Sequence, residues 1–390
     1  FDVVVLDLPE PATGALNRFY TREFFAEVRA VLAPGGVFSL GLPSAENYWS
    51  PELARRNGSV YHTLRAVFPR VVVLPGEHNF FLASGSSLET DPALLAGRLT
   101  DRGVDTRWVT PDYVEYTFTT DRFAGVQAEL AATAGVRLNR DLAPICYYYD
   151  LVLWLSRFYP NLRGFFEGAD LVSLWWVAVP LALVVLLARH PGFKGAIPMA
   201  RWRSNWGVPL AIAGIGLAEM TLEVVILFAF QVLQGTIYAR VSLIVTAFMA
   251  GLALGGASGD RLLGRWLAVG GQRSAVTGRA RRALIAVQAA VAFYSAVFPL
   301  ILSLPASVPV AVFPLLALMA GALTGAAFPL AVALMRRSAG RAAGLLYAAD
   351  LVGGCLGALA SAVFLVPVLG ISQTCIAVAL VGLAGLLVLL

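Results

Sequence analysis

The sequence predicts an α/β domain with a doubly wound sheet, followed by an all-α bundle of transmembrane helices. Composition is the first sign: the 390 residues are 58% hydrophobic and 14% charged, with mean hydropathy +0.74. A soluble globule is not that apolar, whereas a membrane protein is. The second sign is the distribution of acids. Residues 201–390 contain only Glu219, Glu223, Asp260 and Asp350, while residues 1–170 have ordinary charge density. The third is the valine-rich run from Phe1 to Leu6, which reads as a strand buried on both faces of a parallel sheet. The expected divisions are 1–142 for the α/β part, 143–170 for an amphipathic, interfacial linker, and 171–390 for about seven transmembrane helices.

The elements follow in order. The first strand ends at Asp7, and Leu8-Pro9-Glu10-Pro11 cannot continue it, because two prolines remove amide donors and fix φ. Thr21 to Leu32 is a helix by the spacing of Phe24, Phe25, Val28, Val31 and Leu32, with Thr21 as N-cap and Glu23 in the first turn. Pro34-Gly35-Gly36 stops it, and Val37 to Leu42 is the next strand. Pro51 to Phe68 is a helix, Arg70 to Leu74 a strand, and Phe80 to Ala83 a short strand close behind. Strand and helix alternate as in a doubly wound sheet. Beyond it come a charged helix (Asp91–Arg102), a strand-like run (Val114–Thr119) and a second helix (Arg122–Ala134). The aromatic stretch Tyr147 to Phe158 suits a membrane interface or, alternatively, the closing helix of the first domain.

In open parallel sheets ligands bind beyond the carboxyl ends of the strands, where Asp7 and Glu10 lie. A carboxylate there, with a second three residues on, is placed for chemistry. The other reading of the pair is that it shapes a strand-to-helix turn.

The run VVVLDLPEP, then ALNRFYTREFF, then LAPGGVFSL, resembles the second half of a spermidine synthase, a polyamine aminopropyltransferase. The longer pattern is similar to a bacterial form of that family fused to membrane helices. The resemblance implies a Rossmann-like sheet of the S-adenosylmethionine-methyltransferase type, of which residues 1–142 would be the C-terminal half. It implies Asp7 as the base that deprotonates the amine and Glu10 as the amine anchor. The cosubstrate would be decarboxylated S-adenosylmethionine, or S-adenosylmethionine itself were the reaction methyl transfer. Two departures from the family pattern stand out. Its second Asp is Glu10, and its Pro-Thr-Tyr-Pro segment is replaced by Leu74-Pro75-Gly76-Glu77-His78-Asn79-Phe80. Glu46, Asn47 and Tyr48, after the second strand, are the nearest local substitute for the missing tyrosine, or else a polar loop at a helix entrance. The Gly-rich strand-to-helix turn and ribose-binding acid such a domain needs are not in this sequence, so the chain should hold its cosubstrate poorly. Opening on Phe1 within a strand, it reads as a fragment or a processed chain.

Other chemistries are not signalled. Cys146, Cys355 and Cys375 are scattered and imply neither a metal site nor a disulfide framework. His62 and His78 lack neighbours that would make them ligands. The net charge of +5 comes almost wholly from arginine. It flanks apolar runs, which points to membrane topology rather than nucleic acid.

Seven apolar runs are long enough to cross, judged against the ~20 residues a bilayer needs: Leu171–Ala188, Val208–Leu233, Ile237–Ala257, Ala283–Leu304, Val308–Leu334, Ala343–Val368 and Ile371–Leu390. Arginine-rich connections at 189–207, 258–282 and 335–342 alternate with uncharged ones, placing the former in the cytoplasm by the positive-inside rule. A single crossing at 171–188 would then put the α/β domain outside. The resemblance implies a cytoplasmic domain at a bacterial plasma membrane. Gly251-x3-Gly255-x3-Gly259, Gly321-x3-Gly325 and Gly353-x3-Gly357 predict close helix packing. Gly256 to Arg265 is similar to a loop motif of major-facilitator transporters, with one extra residue.

Glu219 and Glu223 share a helix face, and Asp350 lies within a later span. Intramembrane acids mark functional sites by default, here for a polyamine or a proton; a neutral hydrogen-bonded pair locking the helices is the other reading. The expected partners are a lipid bilayer and a small amine, with a homo-oligomer left open. The alternative function is a polyamine or small-solute transporter, or a membrane scaffold, with a vestigial synthase domain.

Overall fold

The computed structural model describes the chain apart from residues 47, 160, 162–163, 165–167, 169–171, 190–198, 236–237, 269–272, 304–307, 336–337 and 390. It divides into two compact units, Phe1–Gly168 and Ala169–Leu390.

The first unit is a small mixed sheet packed against helices. Its elements are β1 (Val3–Leu6), α1 (Gly14–Asn17), α2 (Arg22–Val31), β2 (Val37–Pro43), α3 (Pro51–Arg65), β3 (Arg70–Leu74), β4 (His78–Ser84), α4 (Pro92–Asp101), α5 (Pro111–Thr119), α6 (Asp121–Ala132) and α7 (Ile145–Phe158). The four strands lie in the order β1-β2-β4-β3. β1 and β2 are parallel, joined through α2, while β4 runs antiparallel to both β2 and β3. Only Pro75-Gly76-Glu77 separates β3 from β4, and so short a connection can close only an antiparallel hairpin. The sheet is therefore mixed, not the all-parallel array the strand–helix alternation suggested.

The register sorts the side chains into two faces. Phe38, Leu40, Leu42, Val71, Val73, Phe81 and Ala83 point into the core with Tyr20, Phe25, Val28, Val60, Leu64 and Leu130. On the opposite face Val3, Val5 and Phe80 are 61%, 67% and 50% exposed. The cap expected at Thr21 forms, its hydroxyl accepting from the Phe24 amide at 3.3 Å. Ser50 caps α3 in the same way. Gly35 takes φ +81° in the turn before β2, which favours glycine.

Two expectations are corrected. Val114–Thr119 is not strand-like but the body of α5. The aromatic and β-branched residues suggest a strand, yet Thr110 accepts from the Tyr113 amide at 3.2 Å and Pro111 is pre-set for a first helical turn. Residues 143–170 are not simply an interfacial linker either, because α7 buries Ile145, Cys146, Tyr148, Tyr149, Val152 and Leu153 within the first unit. Asn139 pins its start. The Asn139 side chain accepts from the Cys146 amide at 3.2 Å and donates to the Tyr20 carbonyl at 3.0 Å.

Nearby, burial pushes the Asp141 carboxyl up to about 6, with a hydrogen bond from Thr21 opposing and Glu23 and Glu27 reinforcing. The folded chain then holds this proton to higher pH than the unfolded chain does. The penalty for ionising Asp141 is absent well below pH 4, grows as pH rises through the unfolded value, and is complete above about 6. Asp141→Asn is expected to raise unfolding free energy at pH 7.5 by about 1 kcal/mol, discounted for part exposure, and to have little effect at a pH well below 4. An equal effect at both pH values would contradict this origin.

The second unit is helical: α8 (Trp175–Arg189), α9 (Met199–Gln234), α10 (Tyr238–Ala268), α11 (Arg273–Leu302), α12 (Val312–Gly325), α13 (Ala327–Leu334), α14 (Ala339–Ala360), a π-helical stretch Ser361–Leu369, and α15 (Gly370–Leu389). Among the described residues five helical stretches are long and apolar enough to cross a membrane. α8, at 15 residues, is not among them. The last, Gly340–Leu389, has 50 residues and comprises the two final runs of the sequence analysis. It doubles back. Gly353 and Gly357 abut Ala213 and Leu217 of α9, whereas Gly207 and Gly214 of α9 face Val388 and Val381. α14 thus runs parallel to α9 and α15 antiparallel, with the reversal near Pro367 and Gly370, the latter at φ +81°. The arginine-rich segment 258–282 is less of a loop than expected, since α10 runs on to Ala268 and α11 begins at Arg273. The transporter-like motif Gly256 to Arg265 therefore lies inside a helix.

The glycine spacings do mark contacts. A Cβ at Gly251 or Gly255 would collide with α12 backbone, and one at Gly353 with the Ala213 carbonyl. Gly353→Leu is expected to disrupt the α9–α14 pair, at a cost above the ~1–3 kcal/mol of ordinary overpacking, because backbone rather than a side chain must move. Gly344→Leu, with nothing within 4 Å, is the control. Thermal unfolding of both variants in detergent checks this; equal midpoints would refute it.

Candidate functional site

The site forms where β1 stops. Beyond Leu6 the chain turns through Asp7 to Pro11, and the loop is held from below by Tyr20. The Tyr20 hydroxyl donates to the carbonyls of Leu8 at 3.0 Å and Pro9 at 2.8 Å. Tyr20 is fully buried, and that burial, with the charge of Glu10 nearby, keeps its hydroxyl protonated well above the ordinary range. It is therefore a permanent donor, and it fixes a loop whose prolines offer no amides of their own.

In front of the loop opens a cavity of about 630 Å³, lined by Asp7, Glu10, Ser39, Gly41, His78 and Phe80 among others. Its floor is the half-exposed face of the sheet at the ends of β1, β2 and β4. Asp7 is exposed to it. Among the described residues neither the Asp7 nor the Glu10 carboxylate has a hydrogen-bond or ion-pair partner. Both are thus available to a basic ligand, which the turn-shaping reading of the pair does not require.

The other expected site residues fall elsewhere. Glu46 accepts from Arg122 of α6 at 3.0 Å, and Tyr48 is 75% exposed; neither lines the cavity. Their place is the entrance to α3, as the alternative reading had it. Asn47 lies outside the described residues. His78, which the sequence offered no reason to select, lines the cavity because β4 pairs it with Pro43 at the end of β2. His62 has a structural setting, 3.2 Å from the Thr133 hydroxyl.

Arg56 and Asp150 were also missed. Arg56 lies on α3 and Asp150 on α7, and their side chains, 3% and 12% exposed, meet at 2.9 Å. Arg56 also donates to the Pro43 carbonyl, and Pro43 lines the cavity. Burial raises the Asp150 carboxyl above its ordinary range and Arg56 opposes that rise. Nothing in either residue's sequence neighbourhood signals the other. Among the described residues no group of three or more His, Cys, Asp or Glu is placed to hold a metal.

In the second unit Glu219 and Asp350 line one cavity, whereas the buried Glu223 does not. Glu219 thus shares its cavity with Asp350 and not with its helix-face neighbour Glu223.

No family model matches the chain. Part of it is similar to polyamine aminopropyltransferases. It is 35% identical over 109 residues to the polyamine aminopropyltransferase of Nitrosomonas europaea, covering 27% of this chain and 33% of that protein. The corresponding enzyme of Oceanobacillus iheyensis is 29% identical over 117 residues, covering 29% of this chain and 21% of the relative. That of Mycobacterium tuberculosis is 34% identical over 100 residues, covering 24% and 18%. The chain spans a third or less of the length of these curated relatives.

Proposed function

We propose that this chain is part of a membrane-bound aminopropyltransferase of the spermidine synthase type. Its first unit would be one half of a Rossmann-like catalytic domain, and its second would anchor that domain in a bacterial plasma membrane. The observation that carries this reading is the acidic tip of β1, where Asp7 and Glu10 open onto one cavity while Tyr20 holds their loop.

The residues present fit the amine end of the reaction. Glu10 draws an ammonium group into the cavity by a charge-assisted hydrogen bond. Asp7 takes a proton from the attacking nitrogen. The nitrogen lone pair then forms a bond to the aminopropyl carbon, the carbon–sulfur bond breaks, and its electron pair neutralises the sulfonium as a thioether leaves. Decarboxylated S-adenosylmethionine would supply that sulfonium. The residues described here do not include a grip for its nucleoside, which a further half-domain would provide. Val5 and Phe80 leave an apolar floor against which such a half could close.

The test is an assay of host membranes containing the protein as expressed, with labelled putrescine and decarboxylated S-adenosylmethionine. Labelled spermidine that requires the protein is the expected product. Methylated amine formed from S-adenosylmethionine would identify methyl transfer instead, and no product from either cosubstrate would count against a transferase.

A further inference from the structure

We propose that the cavity inside the second unit is a binding site for a small organic cation, whose ammonium group sits between Glu219 and Asp350. The cavity measures about 340 Å³, which falls in the range of small-molecule sites and exceeds what a bare ion fills. Its walls come from α9, α10, α12, α13 and α14 and are mostly apolar. Among the described residues this lining holds two carboxylates, Glu219 and Asp350, and no Lys, Arg or His. Two acids in a mostly apolar cleft are costly to keep without positive charge, and none of the described lining residues supplies it.

The chain is shaped to bring the two together. A side chain at Gly216 would collide with the Asp350 carbonyl and carboxylate, so glycine there lets Asp350 approach α9 one turn before Glu219. The remaining lining suits a cation. Phe328 and Tyr347 offer aromatic faces. The Thr324 hydroxyl, within reach of the Ala320 and Gly321 carbonyls of its own helix, also lines the cavity. Two carboxylates and two aromatic side chains lining one pocket match a primary ammonium on a short carbon chain. This site is separate from the amine site proposed at Asp7.

The experiment uses the whole chain in lipid nanodiscs with labelled putrescine as probe. Binding is measured in the Asp7→Asn/Glu10→Gln background, so that failure of the enzymatic reading cannot mimic failure of this one. Saturable binding is expected there, weakened at least about tenfold by Glu219→Gln or Asp350→Asn, the loss of one charge-assisted hydrogen bond. Butylammonium should compete and 1-butanol should not. Should either acid variant fail to fold by thermal midpoint, Tyr347→Leu, which keeps both carboxylates, is expected to weaken binding several-fold. Absence of saturable binding, binding indifferent to these changes, or equal competition by butanol overturns the proposal.

Discussion

Asp7→Asn is expected to lower product formation by about 10²–10⁴-fold, the range for loss of a positioned general base. Asparagine keeps the shape of the side chain and cannot accept the amine proton. Asp7 is exposed and, among the described residues, makes no hydrogen bond or ion pair, so the fold should not notice the change. The thermal midpoint and membrane insertion are therefore expected to match the unaltered protein. Glu10→Gln should behave differently. It removes the charge that holds the amine, so it should raise KM for the amine more than it lowers kcat. Steady-state rates at varied putrescine concentration separate the two effects. Undiminished turnover by Asp7→Asn would remove Asp7 from the chemistry.

Arg56→Met is expected to destabilise the first unit by about 3–5 kcal/mol, the usual result of removing one partner from a buried ion pair. For a unit of this size that is a fall in midpoint of roughly 10 °C or more. The substitution leaves the Asp150 carboxylate, 12% exposed, facing a methionine, and deprives the Pro43 carbonyl of its donor. Burial already raises the Asp150 carboxyl and only Arg56 and Arg157 oppose it, so without Arg56 its pKa should climb further. The variant's deficit should then grow as pH rises and shrink as acid protonates Asp150. Arg56→Met combined with Asp150→Leu should recover much of the loss, because no buried charge remains. Hydrogen exchange on α3 and α7 within the whole chain follows the unit directly. A loss under 1 kcal/mol, or no recovery in the double variant, would show that the pair does not hold these helices together.

Legibility varied with the range of the interaction. Thr21 and Asp7 act within a few residues of themselves, and local pattern is enough to read a helix cap or a strand end. The spacings Gly251-x3-Gly255 and Gly353-x3-Gly357 marked real contacts because a missing side chain matters wherever a partner helix comes. The failures were of another kind. Val114–Thr119 has strand composition, but a single Thr-Pro cap outweighed it. Glu46 looked available until Arg122, far along the chain, arrived beside it. Tyr20 passed as one aromatic among several, since only the folded loop shows its hydroxyl under Leu8 and Pro9.

The sequence by itself determined the partition into a charged α/β part and an apolar helical part, the acidic end of the first strand, and the helix starts. Those are set by hydrophobic periodicity, proline and caps, all of which act locally. Only the tertiary structure decided that β4 inserts between β2 and β3, that α7 joins the first unit through Arg56 and Asp150, and that Glu219 shares its cavity with Asp350 rather than Glu223. Each of these joins residues far apart in the chain, and such pairings are chosen by the burial of whole faces, which no short stretch of residues encodes.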